Sequence, residues 1–246
     1  MTGNGRGKFT IKIQLLSDTL VGSGEGWGSY IDSDVVFDEL CIPYIPARRI
    51  KGCLRESAQE IAEFLTQAKF VKSLKDDIVD ILGEPGKTES SPLIIDNLYP
   101  DDYQELKEWI KWGMEEFPLI VSREAIRDCY TVVRQQTAIE TGEKEKNDKN
   151  GQSPGVAKEG SLRTLRAIKK GGVFEGEINL CNVGLHEKAK NLLALASANF
   201  LRMGTNRNRG LGEVFCTIEN EGSNISDDYE SIINKLYNTT EKGGGN

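Results

Sequence analysis

Apolar and polar residues alternate over Lys8 to Leu16 (KFTIKIQLL), placing Phe9, Ile11 and Ile13 on one face of a predicted first core strand. From Arg48 to Lys69 the pattern changes to a helical one. At about 100° per residue, Ile50, Cys53, Leu54, Ser57, Ile61 and Leu65 form an inward stripe, with Arg48, Lys51 and Arg55 roughly opposite. Val71 to Leu82 reads as a short second helix closed by Gly83, and Leu93 to Leu98 as a buried strand. Asp101 to Trp112 follows as an amphipathic helix capped by Gly113, with Trp109 and Trp112 read as core or half-buried. Tyr130 to Ile139, Leu162 to Ile168 and Gly172 to Leu180 read as strands. Leu185 to Met203 reads as a helix with Ala189, Leu192, Leu193, Ala196 and Phe200 inward, and Glu213 to Ile218 as the last strand. In order, the core is β-α-β-β-α-β with insertions, an α+β fold of the ferredoxin-like kind.

The polar stretches divide this frame. Residues 17–46 form a long connection of the sort that is usually functional or disordered. Residues 70–120 are expected to form a helical insertion lobe, and 137–161 contain a tract too hydrophilic to pack. One domain therefore spans 1–222, and 223–246, ending EKGGGN, reads as a flexible tail.

Composition narrows the chemistry. The five cysteines lack CxxC spacing and read as reduced thiols, and the single histidine, His186, argues against a His-based zinc site or a Ser-His-Asp triad. Any metal would be a hard cation on oxygen ligands. No run of apolar residues is long enough to span a membrane, and MTGNGRGK lacks an apolar signal core, so a cytoplasmic protein is expected. The net charge of −7 speaks against indiscriminate coating of nucleic acid. Its distribution is uneven: Lys75 to Glu116 holds four cations against twelve anions, whereas Arg123 to Lys170 holds eleven against seven. Basic islands at Arg48–Arg55 and Arg202–Arg209 suit a protein that binds a strand along one face.

Two stretches carry candidate chemistry. In Val21 to Glu56, glycines at 22, 24, 26 and 28 demand a loop, followed by Asp32, Asp34 and Asp38. Pro46 then starts a helix whose first turns carry Arg48, Arg49, Lys51 and Arg55, an arrangement that favours anions at the helix N-terminus. In the second stretch, Gly204 to Gly212 holds Arg207, Arg209, Gly210 and Gly212, so backbone N–H groups can approach phosphates while guanidiniums chelate them. The GK[ST] ending of a Walker loop is absent, and the first glycine run lies too far from a helix for a dinucleotide fingerprint.

The glycine-rich turn, then IDSDVVFDELCIPYIPARRIKGCLRESA, then RMGTNRNRGLGEVF together resemble the RAMP superfamily of CRISPR-associated proteins. More narrowly, they are similar to the RNA-binding backbone subunits of type III effector complexes. Pro46 to Gly52 fills the slot of the family's Pro-Gly-Ser-Ser-Leu-Lys-Gly-like helix start, with Ala47 where a glycine usually stands. The resemblance implies a modified RNA-recognition-motif core and a thumb hairpin near 137–161, matched at Arg134, Thr141-Gly142, Ala157 to Gly160 and Phe174 to Gly176. It implies a guide RNA held by Arg48, Arg49, Lys51, Arg55, Arg134, Arg207, Arg209, Gly210 and Gly212. It further implies target-RNA cleavage at an aspartate before the Pro-braced helix, with Asp32 matching best and Asp34 second. That aspartate would hold Mg²⁺ while a 2′-hydroxyl attacks in line. Implied partners are guide RNA, target RNA, neighbouring RAMP subunits and other effector-complex proteins.

Two further readings stand beside the endoribonuclease. Aspartates in glycine-rich loops are turn formers far more often than catalysts, which leaves a non-catalytic guide-binding scaffold of the same complex. A guide-processing ribonuclease is the third, resting on His186 alone. Strands of this sequence lack the aromatic signatures that stack bases on a sheet, so binding through loops is expected.

Overall fold

The computed structural model describes residues 7–22, 30–71, 73–84, 86, 91–139 and 157–242. The turn at Gly24, Gly26 and Gly28, the tract 140–156 with Thr141 and Gly142, and the last residues of the expected tail lie outside them. Strand β1 (Lys8–Leu15) buries Phe9, Ile11, Ile13 and Leu15, the alternation that predicts it. It lies between β6 (Val173–Leu180) and β7 (Val214–Asn220), antiparallel to both, with Ile11 opposite Gly176 on one side and Ile218 on the other. Beyond β6 runs β2 (Leu93–Ile95), with β3 (Tyr99–Pro100) also pairing β6, and beyond β7 runs β8 (Ser223–Asn224). Helices α1 (Ala47–Gln67) and α5 (His186–Asn199) pack together against the sheet, and their buried residues join its inward face in one core. Counting β1, β2, β6 and β7 as core strands, the spatial order is second, third, first, fourth, all antiparallel, as a ferredoxin-like split βαβ requires. The sheet's other face carries the ion pairs Lys8–Glu177 (2.5 Å), Lys12–Glu175 (3.8 Å) and Lys12–Glu219 (3.7 Å), and at its edge Tyr99 of β3 stacks between Tyr44 and Tyr103.

The expected insertion lobe divides in two. Helix α2 (Lys75–Leu82) buries Ile78, Ile81 and Leu82 in the main core, and β2 is part of the main sheet. Only α3 (Tyr103–Glu116) and α4 (Arg123–Tyr130) build a separate small cluster, around Leu40, Ile42 and Ile126. Helix α3 does not stop at Gly113 but runs through it, and the glycine is buried, where a Cβ would meet Val121 Cγ2 at 3.2 Å. Trp109 and Trp112 are exposed rather than core, 60% and 50%, and Trp112 makes an edge contact with Phe117 beside exposed Leu119 and Ile120.

A second sheet pairs β4 (Thr131–Gln136) with β5 (Arg163–Ile168), extended by an isolated bridge from Ile139 to Ala157. The long connection docks on it: Thr19 exchanges backbone hydrogen bonds with Ile168, and Ser33 bridges Leu165. The chain after Ser223 is not a frayed tail. It forms β8, a 3₁₀ turn over Ser226–Asp228 and α6 (Tyr229–Lys242), with Ile225, Ser226 and Ile232 buried. Ser226 Oγ accepts from Ile218 N–H (2.8 Å) and shares a hydrogen bond with Ser197 Oγ (2.7 Å), which ties this segment to the core. All five cysteines are free thiols, and Cys216 alone is fully buried. No helix among the described residues is long and apolar enough to cross a membrane.

Candidate nucleic-acid interface

Residues 31–35 follow the edge of β5 through the single Ser33–Leu165 bridge and are not a regular strand, in which Asp32 and Asp34 would share a face. Asp32 is exposed, and Asp34 is 4% exposed. Asp34 Oδ2 accepts from Arg166 Nη1 at 2.6 Å within a buried ion pair, and its Oδ1 accepts from Val35 N–H at 2.8 Å. One oxygen ties the loop to β5 and the other braces the loop's own backbone. Asp32 is held differently. Its N–H donates to Thr164 O (2.8 Å), its Oδ2 accepts from Thr164 N–H (2.7 Å), and its Oδ1 faces Arg163 Nη1 at 3.6 Å. Asp38, the third carboxylate of the stretch, is occupied by the small lobe: it accepts from Leu40 and Ile42 N–H and from Tyr103 Oη. Burial and the Asp38 carboxylate hold the Tyr103 phenol well above its ordinary range.

The loop from Gly204 to Gly212 returns to this region. Gly204 and Gly212 adopt positive φ where a Cβ would stand 2.4 Å from Leu20 O and 2.0 Å from Met203 O, so both glycines are required by the chain's own backbone. Gly210, also at positive φ, has open space where its Cβ would be and is the one of the three that faces outward. Arg207 pairs with Glu56 of α1 (2.9 Å) and donates to Gly204 O (3.2 Å). Arg209 is exposed, with Nη1 3.5 Å from Gln136 Oε1 of β4. Asp18 secures the base of the loop: its backbone carbonyl accepts from Gly212 N–H, and its side chain accepts from Lys170 N–H and from Arg134 Nε at 2.9 Å. Arg134 is thus half-exposed and bound to the protein's own carboxylate.

The glycine loop meets α1 on the side of Arg49, Cys53 and Glu56. Arg49 Nη2 reaches Gly22 O at 3.3 Å, and Arg48 is exposed. Burial pushes the Cys53 thiol up, with Glu56 adding to the rise and Arg207, Arg49 and a Gly204 backbone hydrogen bond opposing it. The resemblance names Lys51 and Arg55 beside Arg207 as guide-holding residues; within the chain they have other partners. Lys51 lies about 140° around the helix from Glu56 and donates to Ser91 Oγ (2.5 Å) and Leu93 O (3.0 Å). Arg55 donates to Leu82 O at 2.5 Å, and its Nε is buried without a partner. Burial and then the neighbouring Arg55 lower the Lys51 pKa. These two cations fasten α1 to α2 and β2. The helix N-terminus is partly used as well, since Ala47 N–H donates to Asn97 Oδ1 at 2.9 Å.

Two concavities record the result. One, of about 490 Å³, is lined by Gly204, Asn206, Arg207 and Arg209. The other, of about 350 Å³, holds Asp32, Arg163 and Thr164, the hairpin base at Gln136 and Ser161, and again Asn206 and Arg209. Sharing Asn206 and Arg209, they bring the glycine loop and the aspartate into one surface, 177 positions apart in sequence between residues 32 and 209. Among the described residues no cluster of three or more His, Cys, Asp or Glu could cage a metal. At Asp32 a hard cation such as Mg²⁺ would be held through a single carboxylate oxygen, Oδ1, because Oδ2 is taken by Thr164 N–H.

Arg163, Asn206 and Gln136 escape the sequence reading. Arg163 opens a strand at its exposed end and looks like any solvated strand cation; Asn206 matters through its left-handed backbone (φ 60°) within the loop. Register signals Arg163, which lies opposite Gln136 across the hairpin and next to Thr164. His186 lies at the start of α5, stacked on Phe9 with ring centroids 5.5 Å apart, and lines neither concavity.

A family model described as the RAMP superfamily matches residues 12–214. No curated protein matches the chain in sequence. Among solved structures, a chain from the Type III-B Cmr-beta bound to cognate target RNA aligns with a TM-score of 0.57 at 14% identity, covering 89% of this chain and 98% of that one. A chain of the Type III-B Cmr-beta apo state gives the same score and identity, covering 89% of this chain and 99% of its own. At that identity the likeness is one of fold.

Proposed function

We propose, for a chain that belongs to the RAMP superfamily, that it is a guide-RNA-binding backbone subunit of a type III effector complex and cleaves target RNA at Asp32. The observation that carries this reading is the shared wall of the two concavities: Asn206 and Arg209 join a cationic cradle to an exposed carboxylate. Arg48, Arg49, Arg207 and Arg209 hold the sugar-phosphate strand, and such contacts position it without reading its bases. Specificity comes from pairing between guide and target. The likeness in fold to chains of complexes, one of them bound to cognate target RNA, supports the same placement. The exposed Trp109, Trp112 and Phe117 cluster is the surface this reading assigns to a neighbouring subunit or another effector protein.

In the proposed cleavage, the 2′-oxygen of the target gives its proton to water and bonds to the adjacent phosphorus as the P–O5′ bond breaks, and the departing 5′-oxygen takes a proton from water, leaving a 2′,3′-cyclic phosphate and a 5′-hydroxyl. DNA lacks the attacking hydroxyl and is spared. A divalent cation at Asp32 Oδ1, when bound, would offset the charge that builds on the phosphate. The chain's own part is positional. Thr164 N–H fixes one Asp32 oxygen, the Ser33–Leu165 bridge fixes the backbone beside it, and the hairpin base closes the pocket wall. Asp34, buried against Arg166, is assigned to the fold and not to chemistry.

The same hydrogen bonds favour a second reading, in which Asp32 only ties the loop to β5 in a guide-binding scaffold. Asp32→Ala in the guide-loaded assembly separates the two. The cleaving reading expects regularly spaced target cuts to vanish while target binding persists; unchanged spacing and rate assign the chemistry elsewhere.

A further inference from the structure

Asp32 shares its pocket with a guanidinium that the family resemblance does not assign. Arg163 Nη1 stands 3.6 Å from Asp32 Oδ1, and the two side chains are 65% and 43% exposed. The other carboxylate oxygen is already fixed by Thr164 N–H. Arg209 lines the same 350 Å³ pocket, so two guanidiniums and one carboxylate border it. An exposed ion pair of that length is loose and easily exchanged. A phosphodiester offers a guanidinium two oxygens in the planar geometry that its fork matches.

We infer that Arg163 is a phosphate-holding residue for the target strand, exchanging Asp32 for the phosphodiester when the strand enters the pocket. The inference rests on the cleavage reading above. Before the exchange Arg163 occupies the free side of Asp32. After it, Oδ1 is released toward the cation and the attacking hydroxyl, and the scissile phosphate is held from the hairpin side. The ion pair is thus a resting state that the target itself undoes. Because the Arg163 side chain is largely exposed, replacing it leaves the fold in place.

The test compares guide-loaded assemblies carrying wild-type chain, Arg163→Gln, Arg163→Lys and Asp32→Ala. One readout involves no cleavage: release of a shortened target with 2′-deoxyribose at every cleavage position, measured in a chelator, with the scissile linkage either native or a neutral methylphosphonate. Wild type should release the neutral-linkage target roughly three- to tenfold faster than the native one, Arg163→Gln should release both alike, and Arg163→Lys should fall between. In single-turnover cleavage, Arg163→Gln should be about 10- to 100-fold slower at saturating Mg²⁺ yet reach half its maximum at a lower Mg²⁺ concentration. Equal sensitivity to the neutral linkage in wild type and Arg163→Gln overturns the inference. Cleavage that survives Asp32→Ala overturns the parent reading instead. Cleavage lost in Asp32→Ala but unchanged in Arg163→Gln overturns this one alone.

Discussion

The two sides of α1 carry the same kind of residue and do different work. On one side Arg49, with Cys53 and Glu56, meets the glycine loop and its Arg207 at an open surface. On the other side Lys51 and Arg55 spend their donors on Ser91, Leu93 and Leu82, inside the contact with α2 and β2. The paired aspartates repeat the contrast at shorter range. Asp32 and Asp34 are two residues apart, yet one is open to a pocket and the other is locked to Arg166. In both cases charge alone does not separate the members; their surroundings do, since Arg207 and Asp32 line open pockets despite their ion pairs, whereas Lys51, Arg55 and Asp34 are engaged in contacts between elements.

The aspartates provide the sharpest way to break this comparison. Asp34→Ala leaves Arg166 buried and unpaired and should cost about 3–5 kcal/mol of stability, read as a lower urea midpoint. Asp32→Ala should leave that midpoint nearly unchanged and instead lower target cleavage on the order of 10²–10³-fold. Equal loss of stability in both variants would erase the distinction between a structural and a functional carboxylate.

The glycine loop sharpens it further. Gly212→Ala places a Cβ against Met203 O at positive φ and should destabilise the chain by about 2–3 kcal/mol in thermal unfolding. Gly210→Ala has the same φ penalty without the collision and should cost about 1–2 kcal/mol. If a strand passes close to Gly210, that variant weakens RNA binding beyond its effect on stability.

Much of the fold was legible because its periodicity is strong. The inward faces of β1, α1, β6 and α5 are all visible in the sequence. Helix α4 is eight residues with only Ile126 buried, too little for a period to show. Helix α6 carries Ile232, Ile233 and Leu236 at helical spacing, but so polar a setting reads as a tail until Ser226 and Ile225 anchor it from the core. Of the site, Asp32 and the arginine islands were legible as types. A helical wheel gives only the angle of Lys51, not that β2 and α2 cover that angle, and Asp34 acquires its partner from 132 residues away. Long-range packing decides which charges stay free, and no local pattern encodes it.

The most direct test is the salt dependence of single-stranded RNA binding by the intact chain, measured for two paired variants. Removing one cation that neutralises a phosphate should flatten the log–log slope by about 0.7. Arg49→Gln with Arg209→Gln should therefore reduce the slope by about 1.4. Lys51→Gln with Arg55→Gln should leave the slope unchanged and lower the unfolding midpoint instead. A slope flattened as much by the second pair as by the first would contradict the claim that the glycine-loop side of α1 is where the strand is held.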